Sequence, residues 1–266
     1  MTGRPTAIEL AEVQQFFRLP SPQLVDKDWQ VVQAMRTLLS VDAAPFRLVF
    51  AGGTCLARAH RLVERMSEDV DFKIVPPAAT MSKNQRRQAL GRLRGRVVEQ
   101  LTSAGFTLAQ APSSCDANEY TVLHLRTDDG AGPDGPLRPT IQIELSYAGL
   151  REPTIQRPVA SFVSQAYGRT PELEAVECVS ATETAAEKAV SLTRRTAMEI
   201  NGESRSPDPT LVRHIYDLHL VREQMHTDQV ATVMRAVAVM DAEQFGHQHP
   251  AYREDIAGET RKALAT

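Results

Sequence analysis

Residues 48–74 read LVFAGGTCLARAHRLVERMSEDVDFKI, and the order of residue types within them decides the fold. The apolar run 46–51 (FRLVFA) predicts a short buried strand, and Gly52-Gly53 directly after it is a turn signal. Cys55, Leu56, Ala59, Leu62, Val63 and Met66 fall on one face of a helix expected over 54–66. Residues 69–75 then alternate, with Asp69, Asp71 and Lys73 on one face of a strand and Val70, Phe72 and Ile74 on the other. Glycines let a backbone approach a phosphate closely, and a following helix start offers free N–H groups to that anion. Two carboxylates on one strand face suit a hard cation such as Mg2+, which takes oxygen ligands. A lone Gly-Gly-Thr is usually a turn and a lone Asp-x-Asp a solvated strand face. In this order, one helix apart, they point to metal-assisted nucleotidyl transfer.

Working outward, helices are expected at 7–17 and 22–40, the second striped by Leu24, Val31, Val32, Met35, Leu38 and Leu39. Pro76-Pro77 ends the carboxylate strand, and a helix follows at 82–104 with Ala89, Leu90, Leu93, Val97 and Leu101 on one side. Strands are expected at 119–126 and 140–147, joined by a loop rich in Gly, Pro and Asp that allows an antiparallel pair. In the second of these strands Glu144 lies on the polar face. Strand signals stop near residue 160, and helices are expected at 181–201 (ended by Gly202), 210–225, 227–241 and 251–264. The fold class is therefore α/β, with a mixed first domain (1–165) and an all-helical second domain (166–266).

With 266 residues, 42% hydrophobic and 24% charged, the chain can bury a sizeable core. A net charge of −3 excludes a uniformly basic nucleic-acid coat, so any nucleic-acid contact must rest on a local patch. Three widely spaced cysteines, Cys55, Cys115 and Cys178, argue against a disulfide framework or zinc ribbon and fit a reducing cytoplasm. No signal peptide and no apolar run long enough to span a membrane is read.

Residues 47–74 resemble the hallmark of the AbiEii/AbiGii (MenT-like) nucleotidyltransferase toxins, F-x-G-G-T-x-L, a helix, then R-x-S-x-D-x-D. The matching positions are Phe50, Gly52, Gly53, Thr54, Leu56, Arg65, Ser67, Asp69 and Asp71. Asp26-Lys27-Asp28-Trp29 is similar to an early segment of that family. Glu183–Arg194 (ETAAEKAVSLTR) and Arg213–Leu218 (RHIYDL) are similar to its two later helix motifs. Two positions depart from the pattern: Ala51 stands where many members have Lys, and His214 where the first Asp of R-D-x-Y-D is usual.

The resemblance implies a polymerase-β-like nucleotidyltransferase palm with a C-terminal helical bundle, a bilobed protein with its active site between the lobes. It implies that Gly52, Gly53, Thr54 and Ser67 hold an NTP triphosphate. Asp69 and Asp71 would bind Mg2+, with Glu144 as third carboxylate, and Lys188 with Asp217 would serve the reaction. Simpler roles stand beside these: a solvated Glu144, an exposed helix Lys188, an Asp217–Arg213 pair, a turn-capping Ser67. The implied biology is a cytoplasmic toxin paired with a cognate antitoxin, adding nucleoside monophosphate to the 3′ end of tRNA and so blocking translation. Its rivals are transfer to a protein hydroxyl and a non-catalytic nucleotide- or antitoxin-binding module.

The expected helix at 82–104 carries Lys83, Arg86, Arg87, Arg92, Arg94 and Arg96, with no acid before Glu99. That concentration suits RNA phosphates, or else the solvated face of a packed helix. His247-x-His249 reads as a surface loop before it reads as a metal site, and Cys55 as core.

Overall fold

The structure is a computed structural model that describes residues 3–63, 69–126, 138–204, 208 and 211–265. Arg65, Ser67 and the loop 127–137 lie outside the described residues. The chain forms two compact units. The first comprises Met1–His60, Arg65–Gly149 and Thr154–Cys178; the second comprises Arg61–Glu64, Leu150–Pro153 and Val179–Thr266. No helix among the described residues is long and apolar enough to cross a membrane.

In the first unit, helices α1 (Ala7–Phe16) and α2 (Pro22–Leu39) precede strand β1 (Arg47–Ala51), helix α3 (Gly52–Arg58) and strand β2 (Asp69–Val75). Helix α4 (Lys83–Ser103), strands β3 (Ser113–Cys115), β4 (Tyr120–Arg126), β5 (Thr140–Tyr147) and β6 (Ile155–Val159), helix α5 (Phe162–Ala166) and strand β7 (Leu173–Cys178) follow. The strands form one seven-stranded sheet in the order β3-β4-β5-β2-β1-β7-β6. β4 and β5 are antiparallel, as the Gly-, Pro- and Asp-rich connection between them allows, and β2 lies parallel to β5.

The inward positions of β2, β4 and β5 (Val70, Phe72, Ile74, Leu123, Leu125, Ile141, Ile143, Leu145) meet α2 through Val31, Val32, Met35 and Leu38. They meet α4 through Ala89, Leu90, Leu93, Val97 and Leu101. Each such fully buried aliphatic side chain contributes about 1.5–3 kcal/mol. α4 starts on a reciprocal capping box, with the Ser82 hydroxyl accepting from Gln85 N and the Gln85 side chain accepting from Ser82 N.

Two expectations are corrected. α3 stops at Arg58, not at 66, although the apolar periodicity continues; Arg61 has a left-handed φ of 57° that a helix cannot carry. β7 lies beyond residue 160, where the sequence shows no strand pattern, and pairs parallel with β1 at Phe50↔Cys178. The last segment of the first unit, Thr154–Cys178, ends with this strand.

The second unit holds α6 (Ala181–Ile200), α7 (Leu211–Val221), α8 (Thr227–Phe245), α9 (Pro250–Glu254) and α10 (Ile256–Leu264). α6 is capped by Ser180 and ends before Gly202, whose φ of 68° suits glycine. Arg194 ties α6 to α8 by an ion pair with Asp241 (2.6 Å) and by lying over the Phe245 ring. His249 is fully buried among Glu203, Glu259 and Tyr252, which makes it an internal residue and not a surface-loop one.

Candidate active site

The alternation of β2 places Asp69 and Asp71 on the sheet face away from α2 and α4, both half-buried. Parallel pairing sets Asp71 directly beside Glu144 of β5, and Asp69 beside Gln142. Three carboxylates therefore share one patch of two neighbouring strands. Asp69 is paired with Arg138 (2.6 Å). Glu144 accepts from the Tyr120 hydroxyl (2.7 Å) and from the Gln142 amide (2.5 Å). Burial first, and the Glu144 carboxylate second, push the Tyr120 phenol well above its ordinary range, so it stays a neutral donor.

Gly52 has a φ of 73°, and a Cβ built there would lie 1.9 Å from Asp71 Oδ2. The first glycine of the pair is thus required twice, by its backbone angle and by the carboxylate against it. Thr54 is fully buried and its hydroxyl donates to the Asp69 carbonyl, tying α3 to the start of β2. That side chain fastens the strand, and Gly53 and Thr54 lie in the first turn of α3.

Asp26, Lys27 and Asp28 are buried in α2. Lys27 donates to the carbonyls of Arg138 and Thr140 (3.1 Å for the latter), fixing the start of β5. Asp28 pairs with Arg58 of α3 and accepts from Phe162 N (2.7 Å). Burial pushes its carboxyl up, opposed by the Arg58 guanidinium.

In the second unit Lys188 of α6 pairs with the fully buried Asp217 of α7 at 3.0 Å. His214, one turn earlier, has a pKa lowered to about 4, first by burial and then by Lys188 and Arg195. Near pH 7 that makes it a neutral imidazole, and its Nδ1 is buried without a hydrogen-bond partner among the described residues. Glu183 opens α6 and accepts from the backbone N–H groups of Arg151 (2.9 Å) and Glu152 (2.8 Å).

The basic residues of α4 divide. Arg86 pairs with Glu119 (2.7 Å) and lies over the Tyr147 ring. Arg94 donates to Ser114 and Asn118, and Arg96 to the carbonyls of Asp42 and Ala44. Lys83, Arg87 and Arg92 are exposed. The whole helix packs on the sheet face opposite Asp69, Asp71 and Glu144.

Tyr120, Gln142 and Arg138 were not singled out from sequence. The parity of 119–126 puts Tyr120 on a polar face, yet only the register Tyr120↔Ser146 brings it to Glu144.

As the side chains stand, no three His, Cys, Asp or Glu groups among the described residues are drawn into a metal cage. The donor set still fits a hard divalent ion: three carboxylates in adjacent strand positions, held by neutral donors and one exposed arginine.

A search of the curated proteins finds no match. Among solved structures the chain is similar to MenT4, a nucleotidyltransferase toxin from Mycobacterium tuberculosis H37Rv. That likeness has 20% identity, covers 96% of this chain and 98% of that one, and has a TM-score of 0.44. It is also similar to the antibiotic-resistance factor ANT(2'')-Ia, with 15% identity, 84% and 98% coverage and a TM-score of 0.44. The sequence pattern of the nucleotidyl transferase AbiEii toxins of type IV toxin–antitoxin systems matches residues 33–265, nearly the whole chain, and the protein belongs to that family.

Proposed function

We propose that the protein is a toxin that transfers a nucleoside monophosphate from an NTP to the 3′ end of a tRNA, blocking translation in the cytoplasm until a cognate antitoxin restrains it. One observation carries the reading: Asp69, Asp71 and Glu144 share a sheet face beside a Gly-Gly turn whose first glycine touches Asp71. The acceptor hydroxyl oxygen attacks the α-phosphorus and the bond to the β-phosphate oxygen breaks. Pyrophosphate leaves, and the hydroxyl proton passes to a carboxylate or to water. Asp69, Asp71 and Glu144 would hold Mg2+, which when bound neutralises phosphate charge and acidifies the acceptor hydroxyl. Gly52, Gly53 and the backbone of Thr54, with Ser67, hold the triphosphate, and Lys188, oriented by Asp217, offers it a point charge.

A protein hydroxyl is the second acceptor to test. It is favoured by the position of α4, whose basic residues lie on the far face of the sheet and are half engaged within the protein. Incubation with each labelled NTP, Mg2+ and total tRNA, with or without a cell extract, distinguishes the readings. Label on tRNA supports the proposal, label on protein supports the second acceptor, and no label with any NTP removes both.

A further inference from the structure

On the sheet face opposite the carboxylates, the first unit contains a cavity of about 360 Å³ between α2 and the C-terminal end of α4. Its lining includes Trp29, Gln33 and Arg36 of α2, Phe106 after α4, Arg126 and Arg4. Among the described residues three arginines and no carboxylate line it, in a chain whose net charge is −3.

Arg4 is already held by Asp26 through two hydrogen bonds. Arg36 and Arg126 are exposed, and neither has a carboxylate ion pair among the described residues. Gln33 is 7% exposed, and its buried Nε2 finds no acceptor among the described residues. The carbonyl end of α4 opposes an anion here with roughly half a charge. Its turn is closed, however, by bonds from Gly105 N and Phe106 N to Thr102 O and Leu101 O. Two full guanidinium charges outweigh that half charge.

We propose that this cavity is a second nucleotide site, distinct from the carboxylate face, which takes a nucleoside monophosphate unit. Arginine forks match phosphate oxygens in two-point contacts, Trp29 and Phe106 give a base an aromatic surface, and Gln30, Gln33 and Gln100 can read its edge. The volume lies at the small end of ligand pockets, which favours a single nucleotide. The unit can come from a free nucleotide or from one residue of an RNA strand, and the proposal commits to the free one.

The chain has a single tryptophan, so Trp29 fluorescence reports on this cavity alone. The protein to titrate is the full chain carrying Asp69→Ala and Asp71→Ala, which isolates the cavity from the carboxylate face. AMP, GMP, CMP, UMP and inorganic phosphate are added in turn, with calorimetry in parallel. Saturable quenching and heat with at least one mononucleotide are expected. Arg36→Ala with Arg126→Ala should weaken that binding by about tenfold or more, the range of a lost charge-assisted contact. Both positions are exposed, and circular dichroism of the variant checks its fold. Absence of mononucleotide binding up to millimolar concentration, or binding unaffected by the arginine pair, overturns the proposal. So does arginine-dependent binding of a short oligonucleotide without any of a mononucleotide.

Discussion

Two clusters of charge in the first unit use the same residue types to opposite ends. In Asp26-Lys27-Asp28 each charged group is buried and met by protein: Arg4 and Gln30 on Asp26, two carbonyls on Lys27, Arg58 and Phe162 N on Asp28. This cluster joins α2 to α3, α5 and β5. In Asp69, Asp71 and Glu144 like charges are crowded on two neighbouring strands and left half-buried. A complete set of protein partners marks a structural hub. A concentration of one sign kept open to solvent suits a cation, the role proposed for this patch.

The contrast breaks if substitutions in the two clusters behave alike. Asp71→Asn should lower nucleotidyl transfer by roughly 10³-fold or more, several kcal/mol of transition-state stabilisation. Its urea unfolding should move by no more than about 1 kcal/mol. A folded Asp71→Asn protein with near-normal labelling of its acceptor removes the proposed role of the patch. Asp28→Ala should do the reverse. It strands the Arg58 guanidinium and the Phe162 N–H in the interior, which costs about 3–5 kcal/mol in the same unfolding measurement. Lys188→Ala is expected to slow transfer about 10²-fold, in line with a lost electrostatic contact. An unchanged single-turnover rate would make the Lys188–Asp217 pair another structural hub.

The smallest effect concerns pH. The His214 pKa falls from the ordinary 6.5 to about 4 on folding, so between those values the unfolded chain binds more protons. Its contribution to stability is constant above about pH 6.5 and is lost as pH falls toward 4. His214→Gln should flatten that part of a melting-temperature profile; an identical slope in the variant would assign the pH dependence to other groups.

Much of the carboxylate face is legible in the sequence because it follows from period-2 alternation within β2 and β5 alone. What lies between strands is not. Tyr120 reaches Glu144 only through register, and Arg138 reaches Asp69 from just before β5, whereas Gln142 lies two residues from Glu144 on the same strand face. β7 escapes notice because LEAVEC buries only Val176 and Cys178 and shows no clean pattern. The burial of Asp26, Lys27 and Asp28 is equally hidden, since a run of charges at the start of an amphipathic helix reads as solvated until its partners from residues 58, 138 and 162 are known. The apolar spacing carries a helix on to residue 66 because it does not register the left-handed turn at Arg61.

The parallel pairing of β2 with β5 has a consequence for the chain while it is being made. Asp71 and Glu144 become neighbours only when β5 has been synthesised and has added to β2 across the intervening α4, β3 and β4. At about 5–20 residues per second, several seconds separate synthesis of the Gly-Gly turn from that of Glu144. During that interval a nascent chain can fold β1, α3 and β2 as a local hairpin-like unit, yet it lacks the third carboxylate and all of α6 and α7. The order of the sequence thus keeps the carboxylate patch incomplete until 144 of the 266 residues have been made.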